Sequence, residues 1–137
     1  MVKEIIESAS LDRQKVEPAT TEDVKVAQDL LDTLKANQYS RIGMSANMIG
    51  VNKRIIVVNA GIVDMPMLNP RIINKAIPYD AREECRSFDG SEVMVRYDVI
   101  EVEYQDMDFR KQKQTFTGWL AHLIQHEIDR CEGELAG

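Results

Sequence analysis

The segment TGWLAHLIQHEIDRCEG, residues 117–133, constrains the fold most, because at helical spacing it presents two faces of different character. One face is apolar and consists of Leu120, Ile124, Ile128 and Cys131. The other face, roughly 120° away, carries aromatic, imidazole and guanidinium groups on Trp119, His122, His126 and Arg130. A helix of this kind has both faces covered by other parts of the molecule. The pattern therefore predicts a buried helix from about Gly118 to Glu132, ended by Gly133.

Two earlier segments have clear helix and strand patterns. TTEDVKVAQDLLDTLKANQ begins with Thr20 as a candidate N-cap, has acids in its first turn and repeats apolar residues at helical spacing. It predicts a helix from about Thr21 to Asn37. RIIVVNAG, from Arg54 to Gly61, is a short apolar run rich in β-branched residues and ended by Asn-Ala-Gly. It predicts a buried strand.

The middle of the chain predicts further strands. PMLNPRIINKA contains Pro66 and Pro70, which favour short edge-strand pieces around a turn. VMVRYDVIEVEYQD, from Val93 to Asp106, predicts two strands broken near Asp98. Apolar and acidic residues alternate from Ile100 to Tyr104, which is typical of an antiparallel strand with one solvent-facing side. Together with the two helices, these strands predict an α+β fold of antiparallel sheets packed around a buried C-terminal helix.

The length and charge of the chain limit its organisation and its partners. With 137 residues it is expected to form a single domain, residues 1–137. A net charge of −6 and the lack of a basic stripe argue against binding DNA or another nucleic acid. No apolar run approaches the roughly 20 residues that span a bilayer, and the opening MVKEIIESAS is not followed by the apolar core of a secretory signal. We expect a cytoplasmic protein in which Cys85 and Cys131 are free thiols.

The stretch QHEIDR resembles part of a metal-binding motif but does not establish that a metal is bound. His126 and Glu127 match the start of the metal-binding pattern H-E-x-x-H, in which two histidines one turn apart bind a cation and the glutamate handles a proton. The second histidine position is Arg130, whose protonated guanidinium has no lone pair to donate. The stretch is therefore either a metal site that lacks one ligand or an accidental match.

Two other stretches occur in order with it and favour the first interpretation. IGMSANMIG (Ile42 to Gly50), EECRS (Glu83 to Ser87) and QHEID (Gln125 to Asp129) resemble the three signature motifs of the peptide deformylases, usually written G-φ-G-φ-A-A-x-Q, E-G-C-L-S and Q-H-E-x-D-H. The region LDRQKVEPAT, followed by a helix, is also similar to this family. The resemblance implies a deformylase-like fold and removal of the formyl group from the N-terminal formyl-methionine of new polypeptides, with the nascent chain, met at the ribosome, as partner.

The resemblance also implies a metal centre. The family holds a divalent metal, typically iron(II), with one cysteine and two histidines, and zinc or nickel is expected as an alternative in a purified sample. The bound metal activates a water. Cys85 matches the cysteine ligand, His126 the first histidine and Glu127 the general acid/base. The backbone N–H of Arg86 matches a donor that helps to hold the oxyanion.

By the same resemblance, one group of residues would bind the substrate: Ile42, Gly43, Met48, Trp119, His122 and Leu123. His122 has two interpretations. It forms an i, i+4 pair with His126, so it could replace the missing ligand if the metal moved by about one turn, roughly 6 Å. Otherwise it is a wall of the substrate pocket, which we favour because metal geometry is demanding. An imidazole at this position makes the pocket less suited to methionine.

The departures from the family motifs fall on the positions that bind the metal and stabilise the oxyanion. Arg130 replaces a metal ligand, and Met48 replaces the glutamine whose amide stabilises the oxyanion. Further departures occur at Arg41, Glu84 and Arg86. Losing one oxyanion donor costs on the order of 10²- to 10³-fold in rate. Arg130 could pair with Glu127 or with a Cys85 thiolate and so put its own cation in the place of the metal.

Three functional hypotheses remain open from the sequence. The first is a metal-dependent deformylase with impaired activity, supported by the retained Cys85, His126 and Glu127. The second is a non-catalytic peptide-binding or regulatory module on the deformylase fold, supported by the departures at the site. The third is a hydrolase with Cys85 as nucleophile and His126 as base, for which the only support is their expected proximity.

Overall fold

The computed structural model describes residues 1–6, 15–83 and 92–133. The first helix, α1, spans Val24–Ala36 and follows a 3₁₀ turn at Thr21–Asp23. The strands are β1 (Gly43–Ser45), β2 (Ile55–Asn59), β3 (Asp64–Glu83), β4 (Glu92–Gln105) and β5 (Lys111–Thr117). A second 3₁₀ turn, Ala46–Ile49, follows β1, and the second helix, α2, spans Gly118–Cys131. No helix among the described residues is long and apolar enough to cross a membrane.

The strands form one five-stranded sheet in the order β1-β2-β3-β4-β5, and each neighbouring pair is antiparallel. β2 shows how the sheet is covered on both sides. Its side chains alternate between faces, so Ile56 and Val58 pack with α2 whereas Ile55 and Val57 pack with α1. The α+β fold predicted from the sequence is confirmed, with one sheet between two helices.

Two buried clusters follow from this arrangement. The α2-side core contains Ile56, Val58, Met67, Ile100, Val102, Phe116, Leu123, Ile124, Ile128 and Cys131. The α1-side core contains Ala27, Leu30, Leu34, Met44, Met48, Ile55, Val57 and Leu68. The predicted helices and the buried strand β2 are confirmed, and Gly133 adopts the left-handed conformation (φ 74°) expected at the end of α2.

The second face of α2 is covered only in part by the described residues. Trp119 keeps 60% of its surface exposed, and His122 and His126 are only partly buried. Within the described residues, this side of the helix borders a cleft at Trp119, whereas His122 stacks on Tyr79 of β3.

The predicted breaks in the middle strands are wrong. Pro66 and Pro70 lie within β3, a continuous strand of 20 residues that accommodates them with irregular register near Leu68 and Ile72. Asn69 lies in this irregular stretch with a left-handed φ of 54°. β4 runs through Asp98 without a break because β3 continues to pair with it on both sides of that residue.

Candidate functional site

A cleft of about 460 Å³ opens between the start of β1 and the exposed side of α2. Its walls are formed by Ser40, Arg41, Ile42, Gly43, Arg82, Trp119, His122, Leu123, His126 and Glu127. A larger depression of about 590 Å³ lies elsewhere, beside Arg54, Asn69 and Glu132. None of the site residues predicted from the motifs lines the larger depression, so the smaller cleft is the candidate site.

Two motif residues fix α2 relative to β4. The side-chain amide of Gln125 is buried, accepts a hydrogen bond from the backbone N–H of Tyr97 (2.9 Å) and donates one to the carbonyl of Tyr97 (2.7 Å). The carboxylate of Asp129 forms an ion pair with the buried guanidinium of Arg96. Because Gln125 and Asp129 flank His126 and Glu127 on α2, these contacts set where both side chains lie relative to the sheet.

Gly43 brings the backbone of β1 into close contact with α2. A Cβ at this position would lie 3.0 Å from Cδ1 of Leu123 and 3.1 Å from Cγ and Oε2 of Glu127. These distances are shorter than ordinary van der Waals contacts of about 3.5–4.0 Å. Glycine therefore permits Glu127 to lie against the strand, and this explains the glycine retained from the first motif.

Arg130 contacts both predicted catalytic-site side chains of α2. Its Nη2 lies 2.7 Å from Nε2 of His126, a hydrogen bond in which the guanidinium donates. Its Nε lies 3.5 Å from Oε1 of Glu127, an ion-pair distance. The side chains of Arg130 and Glu127 are only 14% and 4% exposed, so the pair is poorly screened by water. The arginine thus supplies a positive charge between the imidazole and the carboxylate.

The first motif also holds the end of α2 in place. The side-chain amide of Asn47 donates to the carbonyl of Arg130 (2.8 Å), and its oxygen accepts a hydrogen bond from the hydroxyl of Ser45 (2.5 Å). Asn47 and Ser45 are buried. This link connects the turn after β1 to Arg130.

His122 forms the wall of the cleft together with a residue from β3. The hydroxyl of Tyr79 lies 2.8 Å from Nδ1 of His122, and the two rings are stacked with centroids 6.1 Å apart and an interplanar angle of 23°. The interpretation of His122 as a pocket wall therefore agrees with its position, and Tyr79 fixes the orientation of its ring.

The structure brings most of the predicted site residues together, and one lies apart. The cleft contains Ile42, Gly43, Trp119, His122, Leu123, His126 and Glu127. Met48 was predicted to contact substrate, but it is 2% exposed and packs in the α1-side core. The turn Ala46–Ile49 lies against α1, which accounts for this placement. Cys85 and Arg86, and the departure at Glu84, lie outside the described residues.

Two residues at or next to the cleft were missed from the sequence. Arg82 lines the cleft and Tyr79 contacts its wall residue His122, and both lie on β3 beyond the strand pieces predicted around Pro66 and Pro70. Had the strand been extended to Glu83, alternation from Tyr79 would have placed its side chain on the same face as Ala81. The register with β4, which decides the face, is a long-range feature.

Comparison with known proteins now places the chain in a family. The family model described as "Polypeptide deformylase" matches residues 3–136. The peptide deformylase of Clostridium beijerinckii is 47% identical over 133 residues, which cover 97% of this chain and 98% of the relative. A protein of Brucella melitensis named "Peptide deformylase-like" is 36% identical over 131 residues, which cover 88% of this chain and 77% of that protein. The chain belongs to the polypeptide deformylase family.

Solved structures agree with this membership. The peptide deformylase of Legionella pneumophila superposes with a TM-score of 0.82 at 26% identity and covers 99% of this chain and 84% of its own. The peptide deformylase of Thermus thermophilus superposes with a TM-score of 0.81 at 30% identity and covers 98% of this chain and 83% of its own. The resemblance inferred from the three motifs is confirmed.

The described residues of this deformylase-family site do not fit a divalent metal ion. A metal would need the lone pair of His126 Nε2, which already accepts a hydrogen bond from Arg130. The positive charge of the guanidinium would also repel a metal ion at this position. Within residues 1–6, 15–83 and 92–133, no group of three or more histidine, cysteine, aspartate or glutamate side chains is placed to hold a metal.

Cys131 takes no part in the cleft. Its thiol is buried in the α2-side core, 3.4 Å from the carbonyl oxygen of Lys53. Burial raises the pKa of the thiol from 9.0 to about 11. The interpretation of Cys131 as a packed residue on the Ile124 and Ile128 stripe agrees with this position, because a thiol with a raised pKa is a poor nucleophile near neutral pH.

Proposed function

We propose that this chain binds the N-terminal segment of a polypeptide in the cleft and removes a formyl group from it only slowly or not at all. The family implies that the partner is the formyl-methionyl end of a nascent polypeptide, met in the cytoplasm at the ribosome, and that a complete site holds iron(II), zinc or nickel. The contact of Arg130 with both His126 and Glu127 carries the proposal.

The physical reason is that the Arg130 guanidinium and a metal ion would compete for the same position beside His126 and Glu127. A guanidinium stays protonated and cannot be a ligand. Two unit positive charges about 4 Å apart repel each other by about 4 kcal/mol at an effective dielectric constant of 20, and a divalent ion doubles the charge on one side. A metal would also displace the hydrogen bond between Arg130 and His126. Metal binding therefore costs far more here than in a site with a second histidine.

The contacts of Arg130 with His126 and Glu127 also rank the three functional hypotheses. The non-catalytic binding module is favoured over a full enzyme, because the cleft is formed while the Arg130 guanidinium contacts His126 and Glu127, the residues that the resemblance assigns to metal binding and proton transfer. The cysteine hydrolase is disfavoured, because His126 Nε2 is already hydrogen-bonded to Arg130 and would not act readily as a base for Cys85.

The first test measures metal content and formate release side by side with the Clostridium beijerinckii deformylase. After purification without chelator, we expect well below one metal ion per chain and little formate from formyl-Met peptides. Arg130→His should raise the metal content, whereas Arg130→Gln should raise it less, because it removes the charge without supplying a ligand. Full metal occupancy of the unmodified chain, with formate released at the rate of the relative, would contradict the proposal.

A second readout is independent of activity. Removing Arg130 leaves the buried carboxylate of Glu127 without this cation, and breaking a buried pair typically costs about 3–5 kcal/mol. The free energy of unfolding of Arg130→His should therefore fall without metal and recover when Zn²⁺ is added. The unmodified protein should not respond to Zn²⁺. If Arg130→His shows neither effect, the matching of Arg130 to the family histidine is wrong.

A further inference from the structure

Beyond the rest of the sheet, β3 and β4 continue as a two-stranded ribbon. β2 pairs with β3 only up to Leu68, and β5 pairs with β4 only as far as Val99. β3 and β4 stay paired beyond these points, to Glu83 and Glu92. A two-stranded ribbon is marginally stable in water unless its apolar side chains are packed against another element. The question is therefore what covers each of its two faces.

The helix α2 covers one face of the ribbon. Tyr79 and Arg96 are paired across the two strands, and each contacts a residue of α2. The hydroxyl of Tyr79 lies 2.8 Å from Nδ1 of His122, and Arg96 forms an ion pair with Asp129. Because side chains alternate between the two faces of a strand, the residues next to Tyr79 and Arg96 point away from α2.

The face that points away from α2 carries two valines beside an acid and a base. Asp80 pairs with Val95 and Arg82 pairs with Val93, so these four side chains share this face. Val93 and Val95 are 56% and 55% exposed, and Asp80 and Arg82 are exposed as well. Within the described part of the chain, neither charge forms an ion pair. Apolar and charged groups therefore lie side by side on this face without an intramolecular partner.

The order of these four residues is self-complementary. A two-fold axis that crosses the ribbon between residues 80 and 82 exchanges these two positions along β3 and the two valine positions along β4. When this axis lays a second copy face to face on the first, Asp80 of each copy lies opposite Arg82 of the other. The same operation places Val95 of each copy opposite Val93 of the other. One symmetry operation thus pairs both charges and packs both valines.

We propose that this ribbon face, formed by Asp80, Arg82, Val93 and Val95, is the contact between two copies of the chain in a two-fold dimer. The ribbon is only about 20 Å long and 10 Å wide. A standard interface buries about 800 Å² on each partner, so the dimer is weak, with a dissociation constant on the order of 100 µM. Because Arg82 also lines the cleft, the second copy lies next to the cleft.

Sedimentation equilibrium tests the association. Measurements run from about 10 µM to about 1 mM chain at about 0.15 M salt, where a Debye length of about 8 Å limits the repulsion between two copies of net charge −6. We expect the average mass to rise from that of one chain towards that of two. Val95→Thr should weaken the dimer about tenfold, because the added hydroxyl is buried twice in a two-fold contact. Val63→Thr is the control, since Val63 is equally exposed at 55% but lies in the turn between β2 and β3.

Charge reversal tests the position of the two-fold axis. Asp80→Arg places arginines opposite each other and Arg82→Asp places aspartates opposite each other, so each variant alone should stay monomeric. An equimolar mixture of these two variants should associate, because each supplies the charges that the other lacks. The double variant Asp80→Arg/Arg82→Asp should associate like the unmodified chain. Asp108→Arg reverses an exposed charge before β5 and should have no effect. Circular dichroism verifies that each variant is folded.

Three results would overturn the inference. The first is an unmodified chain that stays monomeric up to about 1 mM, well above the expected dissociation constant. The second is an association that Val95→Thr leaves unchanged. The third is a mixture of the two charge variants that associates no better than either variant alone. None of these results bears on metal content or peptide binding, so the proposed function is decided by its own tests.

Discussion

Replacement of Gly43 by alanine tests how closely β1 and α2 are packed around Glu127. The added Cβ would lie 3.0 Å from Leu123 Cδ1 and 3.1 Å from two atoms of Glu127. Gly43 is not among the glycines with a positive φ, so alanine is not strained by the backbone itself. The effect of the substitution should therefore come from these contacts.

The expected change in the free energy of unfolding of Gly43→Ala is the difference between a packing cost and an entropic gain. Overpacking a core by one methyl group typically costs about 1–3 kcal/mol, because neighbours must shift. Replacing glycine by alanine where the backbone permits it recovers about 0.4–1 kcal/mol by restricting the unfolded chain. The free energy of unfolding should thus fall by about 1–2 kcal/mol. The displaced atoms include the Glu127 carboxylate, so peptide binding should weaken as well.

Urea denaturation of a double-mutant cycle measures this effect. Leu123→Ala removes one of the crowded atoms, so Gly43→Ala should cost about 1 kcal/mol less in the Leu123→Ala background. Gly61→Ala is the control, because Gly61 has a φ of 109° and no atom within 4 Å of an added Cβ. It should be strained but additive with Leu123→Ala. Equal stability of Gly43→Ala and the unmodified chain, or a coupling energy of zero, would refute the close packing.

Three further predictions concern buried groups. Gln125→Leu should lower the free energy of unfolding by about 2–4 kcal/mol, measured with urea, because the N–H and carbonyl of Tyr97 lose their partner. Met48→Gln should lower it by about 1–3 kcal/mol without raising formate release, since the amide would enter the α1-side core; a stable variant with higher turnover would place this side chain in the cleft. The Cys131 thiol, with its pKa raised from 9.0 to about 11, stays protonated in the folded state while the unfolded thiol ionises. Stability should therefore fall as the pH rises through this window, by up to about 3 kcal/mol, and pH titration of Cys131→Ala should lack this component.

The helices could be predicted from the sequence because their signals are local. The apolar stripe of α2 can be recognised within 14 consecutive residues, and the glycine that ends the helix follows shortly after them. The strands around Pro66 and Asp98 could not be predicted in the same way. Local signals indicated breaks, but β3 and β4 pair with each other along almost their whole length and carry the chain across those positions.

The site shows the same division between local and long-range information. Helical spacing predicted that His122, His126 and Arg130 share one face of α2, whereas Glu127 was assigned from the motif that it shares with His126. Tyr79 was missed because only the register of β3 against β4 and the packing of α2 bring it to His122. The burial of Met48 in the α1-side core could not be predicted for a related reason, since a motif match fixes the position of a residue in the chain but not the direction of a side chain in a 3₁₀ turn.

Arg130 accounts for the coexistence of an altered site and a preserved fold. Glu127 is buried beside Gly43, and a buried carboxylate destabilises a fold unless a positive charge or hydrogen bonds compensate it. A neutral residue without a lone pair at position 130 could not bind a metal ion. The site would then have lost the positive charge of the metal with nothing to replace it. Arginine removes the ligand and supplies a fixed cation in the same change, and its backbone carbonyl still accepts the hydrogen bond from Asn47. If the site holds no metal, as we propose, this one side chain accounts for both that loss and the retention of the cleft, because its guanidinium lies 3.5 Å from the Glu127 carboxylate.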